Sequence, residues 1–347
     1  MNIVQLENVA KALVAPGKGI LAADESSATA NKRFAAVYVT QDEEHRRAFR
    51  EILLTTPEVA EIVSGVIFYD ETFWETGSNG ELFREYCAKR GVIPGIKVDE
   101  GLVDLPGFPG EKVSKGLDSL PERIAKYAAA GAQFAKWRSV IVIGDKIPTD
   151  ACIAANAFVL ARYARICQEA GVVPIVEPEV LFDGTHTAEQ CESVTAHVLE
   201  TLFAAMRTYR VHFPGAILKT GMVLPGKNSG IPVDETDVAD RTVHTLRAHV
   251  PHDLGGVVFL SGGQTSHQAF ANLNAIAQRG PHPWGLTFSY SRALQDPVLK
   301  HWAIHQTDTT GAQSIFAHQL KVARASRSGE MSVSSHGDDF VSHSQDM

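Results

Sequence analysis

Lys219 lies in the stretch Gly215–Val223, GAILKTGMV, where a short apolar run ends in a lysine and a glycine follows two residues later. The pattern reads as a buried strand with an ammonium at its end. Burying an ammonium is costly, so the site must neutralise it or pair it, and a neutral amine there is a nucleophile toward a carbonyl carbon. A single strand-end lysine more often snorkels to water, but here it has company. Asp24 follows the apolar run 19–23, and Lys97 and Asp99 end the run that begins at Ile93. Lys136 and Arg138 end the run from Ala132, and Glu177 and Glu179 the run from Val172. Residues two apart on a regular strand point the same way, so each pair reaches one place together. One such pair is readily a salt bridge; five charged strand ends are hard to explain as packing.

Lysine has a reference pKa of about 10.4, and lowering it by three units corresponds to roughly 4 kcal/mol of differential interaction. A neighbouring ammonium such as Lys136 supplies part of that. Attack on a ketone then gives an imine, an electron sink that favours breaking or forming a carbon–carbon bond beside it. Glu177 is expected to have a raised pKa and to serve as acid and then base, with Asp24 orienting a lysine or moving a proton. Two later segments are of another kind. Ser261-Gly262-Gly263 offers backbone N–H groups without bulky side chains, and Ser289 and Arg292 add a hydroxyl and a guanidinium at a helix start. Both are suited to an anion such as phosphate, and Arg33, Lys97 and Arg138 are suited to a second anionic group.

Apolar strand patterns start near residues 19, 64, 93, 132, 172, 215, 256 and 286, spaced as β/α units require. Helical patterns cover 3–14, a segment opening at Thr40-Gln41-Asp42-Glu43, 119–130, 150–170, 187–209, 234–250, 266–279 and the region opened by Ser291-Arg292. Gly101–Gly116 is rich in Gly and Pro and reads as a long loop. Eight such units predict a closed (β/α)8 TIM barrel, a single α/β domain over 1–324, rather than an open sheet or a propeller. In such a barrel the charged strand ends meet on one face, and the loops after the seventh and eighth strands form a phosphate site. Residues 325–347, rich in Ser and His, are expected to form a mobile C-terminal tail.

With 44% hydrophobic and 21% charged residues over 347 positions, the chain has the makeup of a globular protein with a large core. Its net charge of -8 argues against a nucleic-acid partner. Cys87, Cys152, Cys167 and Cys191 form no CxxC pair and read as reduced thiols. Gln5, Glu7 and Lys11 interrupt the apolar core a signal peptide needs, and no run approaches membrane-span length. The expected location is cytoplasmic, with no membrane partner. No metal or cofactor is expected: Trp302 stands where a His-Glu-x-x-His pattern starting at His301 needs its glutamate, and His244 and His249 do not share a helix face.

Over about residues 5–320 the sequence resembles the class I fructose-bisphosphate aldolases. The matching stretches are Gly17–Ser26 (GKGILAADES), Gly95–Asp99 (GIKVD), Phe134–Arg138 (FAKWR), Pro174–Glu179 (PIVEPE), Phe259–Gln264 (FLSGGQ) and Thr287–Gln295 (TFSYSRALQ). The resemblance implies a metal-independent lyase, usually a homotetramer. Its reaction is reversible cleavage of fructose 1,6-bisphosphate to dihydroxyacetone phosphate and glyceraldehyde 3-phosphate. It implies Lys219 as the Schiff-base lysine and Glu177 as the principal acid/base, supported by Asp24, Lys136 and Glu179. Ser261, Gly262, Gly263, Ser289 and Arg292 would bind around the phosphate on carbon 1, and Arg33, Lys97 and Arg138 the rest of the phosphorylated sugar. Around the lysine, Pro214 stands in place of the family's glutamate, and Thr220-Gly221 in place of its usual Pro-Asn. Ser291 replaces a glycine. The family's C-terminal tyrosine is not carried over, since Phe340 is the only aromatic after residue 325. The same chemistry on another phosphoketose, and an aldolase-like scaffold without activity, are the alternatives.

Overall fold

The structure is a computed structural model and describes residues 2–331. Its strands are β1 (Gly19–Ala23), β2 (Val63–Phe68), β3 (Ile93–Lys97), β4 (Leu102–Asp104), β5 (Lys112–Ser114), β6 (Phe134–Ile141), β7 (Val173–Val180), β8 (Ile217–Thr220), β9 (Gly256–Phe259) and β10 (Leu286–Tyr290). Eight of them pair in parallel in the order β1-β10-β9-β8-β7-β6-β3-β2 and close into a barrel. Helices follow the strands and form the outer layer, so the expected (β/α)8 architecture is observed. Each barrel strand starts within about two residues of the sequence-based position.

Two expectations are corrected. The stretch 101–116 is not wholly a loop: β4 and β5 pair antiparallel, Leu102 opposite Ser114 and Asp104 opposite Lys112. Three-residue strands are too short to show an alternating pattern amid Gly and Pro. The helix expected from Thr40 begins at Glu43, because the Asp42 carboxylate accepts the His45 N–H at 2.8 Å and caps it. The final helix spans Thr309–Arg327, with Ser326 buried. Of the tail expected over 325–347, residues 332–347, Phe340 included, lie outside the described residues.

Strand alternation fills the barrel in layers. Phe134, Val173, Ile175, Ile217, Ile20, Ala22 and Val258 pack inside with Leu6, Ala10 and Leu13 of the Ile3–Leu13 helix, which plugs the amino-terminal mouth. Continuing by twos from these residues leads to Lys136 on β6, Glu177 on β7, Lys219 on β8 and Asp24 just past β1. The same period that puts oil at the bottom puts charge at the top.

Two glycines make room for rings, Gly95 inside the barrel and Gly19 on the outer face of the sheet. A Cβ on Gly19 would fall 2.4 Å from the Phe288 ring, and one on Gly95 would fall 2.3 Å from the Phe134 ring. Gly95→Ala is therefore expected to destabilise the fold by about 1–3 kcal/mol through overpacking, measured by urea unfolding. Gly95→Ala/Phe134→Leu should recover part of the loss, and additive losses in the double variant would refute the packing account.

Candidate active site

One cavity of ≈ 1080 Å³ opens at the carboxyl ends of the barrel strands. It is lined by Asp24, Arg33, Lys97, Lys136, Arg138, Glu177, Glu179, Lys219, Ser261, Gly262, Ser289 and Arg292. Of the residues named from sequence, only Gly263 is not on its wall. All eight barrel strands contribute, β2 through Tyr69 and Asp70 just past its end, which brings together residues nearly 270 positions apart.

At the base lies a buried charge cluster. Lys219 Nζ is 3.1 Å from Glu177 Oε1, and Lys136 Nζ is 2.7 Å from Asp24 Oδ2 and 3.1 Å from Glu177 Oε2. That last contact is one of charge alone, since Glu177 Oε2 has no hydrogen-bond partner among the described residues. All four side chains are at most a tenth exposed. Asp24 and Lys136 come from β1 and β6, three places apart around the sheet, so their pair spans the barrel interior. Lys97 and Lys136 are opposite across β3 and β6, a costly juxtaposition of like charges. Lys97 turns away to donate to the Asp99 carbonyl and carboxylate, both at 2.7 Å.

The electrostatics follow from these pairs. Burial pushes the Asp24 carboxyl up, but Lys136 and then Lys219 outweigh it and hold it at about 2. Burial acts on Glu177 in the same sense, and Lys136, Lys219 and Arg138 overcome it, so its pKa is lowered. The raised pKa expected for Glu177 is thus not found: apolar surroundings alone would raise it, but two ammoniums within 3.1 Å reverse the sign. Burial acts to lower Lys136, while Asp24 and Glu177 raise it far above the ordinary lysine range. The neighbouring positive charge anticipated beside Lys219 is therefore firmly present.

The far wall differs. Gly262 and Gly263 have φ of +60° and +96°, and Gln264 N–H bonds back to the Ser261 carbonyl at 3.0 Å. Glycine adopts such positive φ values most readily, and the resulting turn leaves no side chain over the backbone. Ser289 Oγ is buried and has no hydrogen-bond partner among the described residues, so it presents an unused hydroxyl to the cavity. Arg292, exposed at the start of the Arg292–Ile304 helix, extends over Gly263. Ser291 has φ of -110°, a backbone conformation that suits a residue with a side chain.

Of the three cations assigned to a second anionic group, all line the cavity but all have internal partners. Arg138 Nε pairs with Glu179 Oε2. Arg33 donates to Glu25 at 2.6 Å, Gln295 at 2.9 Å and Asp296 at 2.8 Å. Sequence reading missed Glu25, Lys32, Arg123 and Tyr127 on the wall. Glu25 stands one step out of phase with Asp24, and the other three sit on helices, whose inward side chains obey no strand period. Among the described residues no group of three or more His, Cys, Asp or Glu is placed to hold a metal ion, and no helix is long and apolar enough to cross a membrane.

Fold and site define a (β/α)8 barrel protein with a lysine–carboxylate cluster at its strand ends and a glycine turn, a free hydroxyl and an arginine beside it. The family model described as "Fructose-bisphosphate aldolase class-I" matches residues 5–345. The chain belongs to the class I fructose-bisphosphate aldolase family, a family of aldehyde-lyases. It is 50% identical over 329 residues to a probable fructose-bisphosphate aldolase class 1 of Xanthomonas axonopodis pv. citri (strain 306), covering 95% of this chain and 97% of that one. It is 48% identical to fructose-bisphosphate aldolase 4, cytosolic, of Arabidopsis thaliana, covering 88% of this chain and 78% of that one. A ternary crystal structure of fructose-bisphosphate aldolase from Plasmodium falciparum, with TRAP and a small-molecule inhibitor, superposes with a TM-score of 0.93 at 43% identity, covering 95% of each chain.

Because the Asp24 pKa in the fold lies near 2, below its ordinary 3.8, its stabilising contribution is complete above about pH 4 and is lost as pH falls toward 2. Asp24→Asn should remove about 2 kcal/mol of that acid dependence. Urea unfolding at stepped pH checks this, and an unchanged slope between pH 4 and 2 would contradict it.

Proposed function

We propose that this chain cleaves fructose 1,6-bisphosphate reversibly to dihydroxyacetone phosphate and glyceraldehyde 3-phosphate through an imine at Lys219. The observation that carries the reading is the buried Lys219–Glu177–Lys136–Asp24 cluster at the base of a cavity whose adjoining wall offers the Ser261-Gly262 turn, the unused Ser289 hydroxyl and Arg292. Lys219, an ammonium in its resting pair with Glu177, gives up a proton to solvent and attacks the carbonyl at carbon 2 as the neutral amine. Protons delivered by the cluster carry the carbinolamine to the iminium with loss of water. Glu177, held ionised, is a base first: it takes the proton from the hydroxyl on carbon 4, the bond between carbons 3 and 4 breaks, and its electrons enter the iminium as an enamine. The aldehyde leaves. The acid so formed supports reprotonation of carbon 3, and hydrolysis frees the second product and Lys219.

In this reading Asp24 and Lys136 manage protons around the carbinolamine, and Glu179 holds Arg138 toward the substrate's distal end. The reading extends to a homotetramer and to a cytoplasmic location, supported by family membership and by plant relatives called cytosolic. Sedimentation at four times the chain mass would bear out the assembly. An inactive scaffold is not favoured, since every side chain the chemistry needs is in place.

Incubation with dihydroxyacetone phosphate and borohydride in EDTA should leave a covalent adduct that peptide mass spectrometry places on Lys219. Lys219→Met should lose both adduct and cleavage. Cleavage that survives in that variant would rule out the imine. Glu177→Gln should lower kcat by about 10²–10⁴ while trapping at Lys219 persists, and full turnover would reject its role as base.

A further inference from the structure

Glu25 lines the cavity between β1 and the Arg292–Ile304 helix and holds three donors. Its Oε1 accepts from Arg33 Nη1 at 2.6 Å and from the Ser291 hydroxyl. Its Oε2 accepts from Arg50 Nη2 at 2.6 Å. Burial opposes the charge, but Arg50, Arg33 and Ser291 keep the carboxylate ionised.

Two details of this arrangement are not explained by packing. Ser291 is the residue before the helix, yet its side chain caps no helix N–H; its hydroxyl faces Glu25 and the cavity instead. Arg50 is 5% exposed, and its Nη1 is buried without a hydrogen-bond partner among the described residues. A buried donor left unmade is costly. The same planar fork already meets Glu25 through Nη2, and guanidinium and carboxylate pair best through two parallel bonds. A void of ≈ 10 Å³, about the space of one water, is bordered by Arg33, Arg46, Phe49 and Arg50.

We propose that Glu25 is a two-position acceptor that hands Ser291 and Arg33 over to the phosphate of the substrate. Without substrate, Oε1 holds both donors. When a phosphate reaches the start of the Arg292–Ile304 helix, Ser291 and Arg33 turn to it, and Glu25 closes on both terminal nitrogens of Arg50. Arg50 and Glu25 are positioning residues: they touch no substrate, but they set how readily the donors are released. The inference rests on the phosphate assignment above for the Ser261-Gly262 turn, Ser289 and Arg292, and brings Arg33, which Gln295 and Asp296 also hold, from the distal group to that same phosphate.

Arg50→Lys keeps the charge and one bond but removes the fork. It should raise KM for fructose 1,6-bisphosphate about tenfold, the loss of one charge-assisted hydrogen bond, with a much smaller change in kcat. Ser291→Ala should raise the same KM, and the double variant should fall short of the product of the two effects. Borohydride trapping of unphosphorylated dihydroxyacetone at Lys219 should proceed at the parent rate in both single variants. A parent protein that neither cleaves nor traps would overturn the functional reading itself. A parent that cleaves, with KM unmoved in folded Arg50→Lys or in Ser291→Ala, would overturn the hand-over alone. If Arg50→Lys fails to fold, Ser291→Ala decides: a KM within about twofold of the parent rejects the proposal.

Discussion

Two ammoniums and two carboxylates buried against one another inside the barrel are the constraint on which the rest of the structure depends. Each alone would cost several kcal/mol to desolvate. Together they satisfy one another only because β1, β6, β7 and β8 deliver them to one layer. The Asp24–Lys136 pair spans the interior between strands that are not neighbours, so it forms only when the sheet has closed. The apolar layers below it, with Phe134 filling the space that Gly95 leaves, secure that closure.

The same cluster explains why a carboxylate with a lowered pKa is suited to the chemistry. A glutamate in a purely apolar pocket would begin protonated and would need a base before it became one. Glu177 begins ionised because Lys136 and Lys219 flank it. Lys136 is held charged by its own two carboxylates, so the arrangement keeps a fixed positive charge next to the amine that reacts. In the proposed mechanism, nucleophile, base and neighbouring charge are thus consequences of one set of contacts.

The cavity wall divides its polar groups into two kinds. Lys97, Arg138 and Arg33 are bound to carboxylates or carbonyls of the chain itself, and their charge is partly neutralised until something competes for it. The Gly262 turn, Ser289 Oγ and Arg292 have no such partners among the described residues. The donors without internal partners are therefore concentrated beside β9 and β10, where the proposed function places the phosphate. Electrostatic donors held in place before the reaction need little reorganisation during it.

The barrel and most of its site were legible in the sequence, and for a physical reason: a strand alternates with period two. An apolar run ending in a charge, repeated at intervals of 30 to 45 residues, determined by itself which residues face inward and which end of the barrel carries chemistry. Asp24, Lys136, Glu177 and Lys219 follow from that rule, and the glycines of the 261–263 turn from the φ values only glycine adopts readily. The tertiary structure alone decided whom each charge meets. The direction of the Glu177 shift, the occupied state of Arg33, and the places of Glu25, Arg123 and Tyr127 depend on contacts between residues tens to hundreds of positions apart. Those contacts are set by barrel closure and helix packing, which leave no local period to read.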